Sequence, residues 1–193
     1  MMRSAFDKLI SGAGFVLVAG LLVAGGLLTW AHVFIGNEVH DQLAQQNITM
    51  PAKADLETQA QHDALDKYAG QQLTTGPQAK AYADQYIAVH MAAASGGKTY
   101  SEISGQFVSM TPEQQASPAG QDLAALRQTL FMGDTLRGLL LYGYAFATIG
   151  TIALYAAIVS FLGAAVLLVL SVLGIRHSRQ VASAPVIRET VPA

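Results

Sequence analysis

Apolar residues are gathered into two runs along this chain, Gly12–Gly36 and Gly138–Ile175, and are sparse between and beyond them. The second run holds 38 residues without one charge and is bounded by Arg137 and Arg176. A bilayer core is crossed by ~20 apolar residues, so both runs have the length of a membrane span. The pattern predicts an all-α membrane protein, with two transmembrane helices flanking an outward-facing small helical domain. The expected divisions are a cytoplasmic N-terminus (1–11), transmembrane helix 1 (12–36), an extracytoplasmic helical domain (37–134), an interfacial helix leading into the membrane (135–150), transmembrane helix 2 (151–175) and a disordered cytoplasmic tail (176–193).

For the first run a cleaved signal peptide is the competing reading. Its hydrophobic core would span ~7–15 residues, whereas this run is longer and carries Trp30 and His32 at its far end. A Trp at the exit suits an interfacial anchor, so an uncleaved span is expected. Ala13, Gly20, Ala24 and Ala31 recur at spacings of 7, 4 and 7, a small-residue face that lets helices approach closely in lipid. The second run exceeds one perpendicular crossing. Either 135–150 lies at the interface and 151–175 crosses, or the run crosses twice with a turn near Gly150. No Pro, Asn or Asp lies within the run to make that turn. A single crossing is expected, with Tyr142, Tyr144 and Phe146 as an aromatic belt. Ala153, Ala157, Ser160 and Ala164 form a second small-residue face. One face is expected to pair the two spans, and the other is open to a partner.

Between the runs, "DQLAQQNITMP" reads as an extended exit ending at Pro51. Ala52–Tyr68 has helical composition but few apolar residues (Leu56, Leu65, Tyr68), which predicts a mobile or surface-lying segment. Thr74-Thr75-Gly76-Pro77 reads as a helix start with Pro77 in the first turn. Gln78–Ala94 is the best soluble helix, with Tyr82, Tyr86, Val89 and Ala93 as an amphipathic stripe and Gly96-Gly97 to cap its end. A turn and short helix follow over Lys98–Phe107. Thr111-Pro112-Glu113 and Ser117-Pro118-Ala119 are turn or helix-start signals. Leu123, Leu126 and Leu130 then recur at helical spacing, and Gly133-Asp134 is a candidate hinge.

Charge sharpens the topology. Charged types make up 12% of the chain, about half the usual ~25%, because the two runs hold none. Residues 37–137 carry eleven acids and six bases, a net of −5, and the two ends carry a net of +3. Basic ends around an acidic loop fit the positive-inside rule with both termini cytoplasmic. An acidic domain argues against a nucleic-acid partner. There is no cysteine, so disulfides, zinc thiolates and thiol nucleophiles are excluded.

Candidate chemistry is thin. Gly97-Lys98-Thr99 ends like a phosphate-binding loop, but the required earlier glycine is Ala92 and a helix precedes it instead of a strand. The five histidines invite a metal site, with His40, His62 and His90 on the outward side. A non-haem iron centre needs two His and a carboxylate converging, and no histidine pair has a preformed spacing. No nucleophile-elbow spacing appears. Neither crossing carries an ionisable residue apart from His32 near one end, unlike pumps and ion-coupled transporters. Asp134 and Arg137, three apart, would share a helix face as a surface pair or a docking contact. No catalytic, cofactor-binding or metal residues are assigned, and no cofactor is expected. The residues singled out are the helix-packing or docking set (Ala13, Gly20, Ala24, Ala31, Asp134, Arg137, Ala153, Ala157, Ser160, Ala164) and the domain's Tyr82, Tyr86 and His90.

"KAYADQYIAVHMAAASGGKTYSEI" from Lys80, "TLFMGDTLRGLLLYGYAFATIGTIALYAAI" (Thr129–Ile158) and "LLVLSVLG" (Leu167–Gly174) resemble a family of small actinobacterial two-span integral membrane proteins. The likeness covers roughly residues 12–175 and is most specific in Tyr82–Tyr100 and Leu130–Leu140. It implies the two-span topology and a plasma-membrane location. Some relatives carry the label of aromatic ring-opening dioxygenase. The matching motifs hold one histidine, His90, which cannot supply a ring-cleaving iron site, so that activity is not carried over. By analogy of build, the expected role is a non-catalytic accessory or structural subunit of a larger membrane complex, such as a respiratory one. Its partners are then another integral membrane protein and the bilayer. The alternatives are a metal-dependent oxidoreductase acting on aromatic compounds and an envelope ligand-binding module.

Overall fold

In the computed structural model the described residues are 2–182, with side chains over 6–180. They are all-helical, apart from short connections and one isolated antiparallel bridge between Thr49 and Gln72. The elements are α1 (Met2–Gln45), α2 (Gln59–Leu65), α3 (Gly76–Tyr82), a π-helical turn (Ala83–Ile87), α4 (Ala88–Ser95), α5 (Tyr100–Val108), α6 (Pro112–Ala116) and α7 (Pro118–Ala182). Single 3-10 turns at Lys53–Asp55 and Asp66–Tyr68 flank α2. Both α1 and α7 are long and apolar enough to cross a membrane, and only 17% and 11% of their most apolar windows are buried within the molecule. The core helix of a soluble protein would bury most of such a window.

The described residues divide into two compact units, 2–33 with 151–182, and Phe34–Gly150. In the first, α1 and α7 pack through a seam of small residues. On α1 the buried positions are Ser11, Val18 and Gly25, interleaved with half-buried Gly14, Leu21 and Leu28. On α7 they are Ala157, Ala164, Ser171 and Ser178, interleaved with Ser160, Leu167 and Gly174. Both rows repeat every seven residues, the period of a left-handed antiparallel coil. The register is set reciprocally. A Cβ added to Gly14 would lie 2.1 Å from the Ser171 hydroxyl oxygen, and one added to Gly174 would lie 2.4 Å from that of Ser11. Each serine thus occupies the space a glycine leaves, which permits the close approach that small residues give in lipid.

In the second unit, a core of Val39, Leu43, Met50, Leu56, Leu65, Leu73, Ala79, Ala83, Ile87 and Leu140 draws on α1, the intervening segments, α3 and α7. Asn47, at φ 51°, turns the chain out of α1; Asn tolerates this left-handed conformation better than most residues. Four helices open on the same device. Thr58 with Gln61, Thr75 with Gln78, Thr99 with Glu102 and Thr111 with Gln114 each form a reciprocal capping box, which satisfies two orphan backbone donors at once.

Several expectations change. Residues 52–68 are not a loose surface segment: Leu56 and Leu65 enter the core, and Leu65 is fully buried. The best soluble helix does span Gly76–Ser95 but carries a π-turn within it. The hinge at Gly133-Asp134, the separate helix over 135–150 and the turn near Gly150 give way to one continuous α7 of 65 residues. No Pro, Asn or Asp lies within 138–175 to break it, and with one continuous helix the twice-crossing reading falls. Arg176–Ala182 belongs to α7 as well; the rest of the expected disordered tail, 183–193, lies outside the described residues.

Candidate functional site

The π-turn is built from ordinary helix formers, Ala83-Asp84-Gln85-Tyr86-Ile87. A π-turn adds a residue to the helical ladder and frees carbonyls that need other partners. Here two side chains supply them. The Gln61 amide donates to the Gln85 carbonyl at 2.9 Å. The His90 ring contacts the Tyr86 carbonyl through Nδ1 at 2.8 Å, which makes Nδ1 the protonated nitrogen. The same geometry stacks Tyr82 on Tyr86, with ring centroids 4.9 Å apart, and sets His90 against Tyr86 at 4.3 Å. Burial, and then Tyr86, push the Tyr82 phenol up from its ordinary value.

Asp84 sits in this turn between two cations. Lys80 reaches Oδ2 at 2.5 Å, and Arg137 on α7 reaches Oδ1 at 3.1 Å. Lys80 also lies over the Tyr144 ring, 5.4 Å from its centroid. The hydrogen bond from Lys80 holds the Asp84 carboxyl below its usual range against the opposing effect of burial, with a smaller contribution from Arg137. The same bond raises Lys80. Neither group is tuned for proton transfer near pH 7, since catalytic acids and bases sit near the working pH. The network ties the π-turn to α7. Arg137 therefore pairs with Asp84, not with Asp134 as its sequence spacing suggested; a contact 53 positions away replaces one three away. Asp134 is exposed.

Exchanging Arg137 for Gln leaves Lys80 as the sole cation on Asp84. A depressed carboxyl stabilises the fold above its unfolded value near 3.8 and loses that contribution as pH falls through the folded value. Arg137→Gln is therefore expected to raise the Asp84 value toward, but not to, 3.8, and to move acid-side destabilisation to higher pH. The loss at neutral pH is under about 1 kcal/mol because the pair is partly exposed. Carbon-detected NMR titration of Asp84 measures this directly, and an unchanged titration would refute the coupling.

A second feature of this unit is a groove of about 450 Å³ between the end of α1, from Phe34 to the following Gln46, and Leu136–Ile149 of α7. Its α7 wall is apolar (Leu139, Leu140, Phe146, Ile149) apart from Tyr142, and its other wall adds Glu38, Gln42 and, just past α1, Gln46 to the apolar Phe34, Ile35, Val39 and Leu43. The Gln42 amide donates to one Glu38 oxygen at 2.6 Å. Three large apolar side chains of this unit are also exposed. Val108 is 67% exposed, Phe131 51% and Met132 55%, and all three precede the uncharged run that begins at Gly138.

The remaining predicted residues fall as follows. Ala153, Ala157 and Ala164 are buried and Ser160 half-buried in the seam. On α1, Ala24 and Ala31 are half-buried while Ala13 and Gly20 are exposed, so the seam runs one position aside, through Ser11, Gly14, Val18 and Gly25. Tyr82 and Tyr86 are half-buried against the core of their unit and His90 is exposed. His40 meets only Asp41, and His62 meets Asp66 at 2.9 Å. Among the described residues no three His, Asp or Glu side chains converge as a metal would require. Residues that the sequence reading passed over are Gln61, Asp84 and Glu38. Thr58 three before Gln61 was the one available signal, a capping pattern. Comparison with family models, with curated proteins and with solved structures finds no match.

Proposed function

We propose that the protein is a two-span integral membrane protein that acts by association, as a non-catalytic accessory subunit of a larger membrane complex. In this reading α1 and α7 cross the bilayer, both termini are cytoplasmic, and residues 37–134 form the outward domain that braces the partner. The supporting observation is the exposure of Phe131 and Met132, neighbours on α7, and of Val108 at the end of α5. They lie outside the uncharged run, and large apolar side chains exposed there are candidates for protein contacts. Asp134, two residues after Met132 and exposed, would give such a contact polar direction. The seam supports the same reading from the other side. Its small residues are used between the two helices of one chain, so the partner must meet a different face. The topology and plasma-membrane location are those of the actinobacterial family that the sequence resembles.

The test is a mild-detergent pull-down of tagged full-length protein from native membranes, read by native gel and mass spectrometry. One stoichiometric membrane protein is expected with the wild type. Phe131→Lys with Met132→Lys is expected to lose at least about tenfold of it, as removal of ~1.4 kcal/mol or more of contact energy gives. A wild type that is solely monomeric, or a double variant that retains its partner in full, sinks the reading.

A further inference from the structure

The groove between α1 and α7 has a gradient that the association reading does not use. We propose that it holds one acyl chain of an amine-headed phospholipid, with the ammonium group at Glu38. The inference rests on the reading of α1 and α7 as membrane crossings.

The two helices fall out of step in polarity. The uncharged run of α7 extends from Ile175 back to Gly138, whereas α1 turns polar at Asn37. Leu139, Leu140, Phe146 and Ile149 therefore line a groove whose other wall holds Glu38, Gln42 and Gln46. Phe34, Ile35 and Ile149 make its other end wholly apolar. Its volume of about 450 Å³ lies within the ~300–1,000 Å³ of small-molecule sites, which are apolar with few polar groups. A chain lying along the helices would meet only apolar side chains at one end and, at the other, Glu38, Gln42 and Gln46 beside Val39 and Leu43, the order found in a lipid.

Charge selects the headgroup. Gln42 holds one oxygen of Glu38 at 2.6 Å, and no Lys, Arg or His forms an ion pair with Glu38 among the described residues. A carboxylate at the rim of an apolar groove favours a cation with N–H donors, because a charge-assisted hydrogen bond is stronger than a neutral one. A primary ammonium supplies both. A trimethylammonium head supplies charge without donors, and a glycerol head supplies donors without positive charge. A partner helix would need a basic residue at this height and would compete for the same groove.

The test uses full-length protein reconstituted in nanodiscs of equal phosphatidylethanolamine, phosphatidylcholine and phosphatidylglycerol. Retained lipid is counted by native mass spectrometry after release into mild detergent. Expected are one phosphatidylethanolamine per chain, a loss of about tenfold in preference over phosphatidylcholine in Glu38→Gln, and loss of retained lipid of every class in Ile149→Trp, which fills the apolar end. Equal retention of the three lipids by the wild type overturns the proposal without any variant. So does retention unaffected by Ile149→Trp. Capture of a protein instead of lipid by a photo-crosslinker at Phe146 in native membranes gives the groove to a partner helix. Extraction of the chain from membranes by alkaline carbonate would instead remove the crossing reading itself, a separate outcome read before any lipid is counted.

Discussion

Gln61→Leu is expected to destabilise the protein by about 2–4 kcal/mol, although no charge is lost and side-chain volume is nearly kept. Gln61 is fully buried and all its polar atoms are engaged. Its oxygen accepts from the backbone N–H groups of Glu57 at 2.8 Å and Thr58 at 3.0 Å, and its amide donates to the Gln85 carbonyl at 2.9 Å. Leucine would fill the space and orphan all three backbone groups. Each buried orphan costs ~1–3 kcal/mol; the two donors at the start of α2 are near enough to solvent to recover part of that, and the π-turn carbonyl is not. Gln61→Glu keeps the acceptor but sets a buried carboxylate against the Gln85 carbonyl, so at neutral pH a loss at least as large is expected. The denaturation midpoint in mild detergent by far-UV circular dichroism measures both. Hydrogen exchange locates the effect, with faster exchange expected in residues 83–90 than in α5. A Gln61→Leu protein as stable as the wild type would show that the π-turn does not depend on this bond.

What the sequence reveals and what it hides follow from the range of the physics involved. Helix and span assignments rest on composition and periodicity over a dozen residues, and the two long apolar helices, the start at Pro77 and the end at Gly96 were all legible that way. The seam was half legible. Ala153, Ala157 and Ala164 stand out among larger neighbours, but α1 is so rich in Gly and Ala that several rotations place small residues on one face. The correct rotation is chosen by the reciprocal fit of Ser11 over Gly174 and Ser171 over Gly14, a property of two helices and not of either one. The Asp84–Arg137 pair spans 53 positions, beyond any local pattern. Ala83–Ile87 carries no composition that marks a π-turn; what decides it is Gln61 arriving from another helix. The capping boxes were in plain view as Thr-x-x-Gln or Thr-x-x-Glu, and reading them at Thr58 would have placed Leu65 in an ordered helix. The groove was visible only as a mismatch, an uncharged run too long for its crossing, whose polar counterpart on α1 needed the antiparallel pairing to be found.

Gly76→Ala is expected to cost about 1–3 kcal/mol, where Ala would ordinarily be the better helix residue. Gly76 opens α3 with helical backbone, so the substitution by itself would stabilise by ~0.4–1 kcal/mol through the unfolded chain. Contact reverses the sign. A Cβ at this position would lie 2.4 Å from the Ala147 Cβ and 3.3 Å from the Tyr144 Cα. Neither neighbour is the end of a flexible side chain, so relief requires the start of α3 to move off α7. That movement would also draw Lys80, one turn on, away from the Tyr144 ring that it covers at 5.4 Å. The double variant Gly76→Ala with Ala147→Gly removes the closer clash, and most of the lost stability is expected to return, less the cost of a glycine inside α7. Coupling of that size between residues 71 positions apart is what direct contact produces and what independent sites do not. The four proteins of the cycle are compared by thermal unfolding in one detergent. Additive losses, with no recovery in the double variant, would mean that α3 and α7 do not meet at Gly76. They would also remove the packing that fixes the Asp84 network against α7.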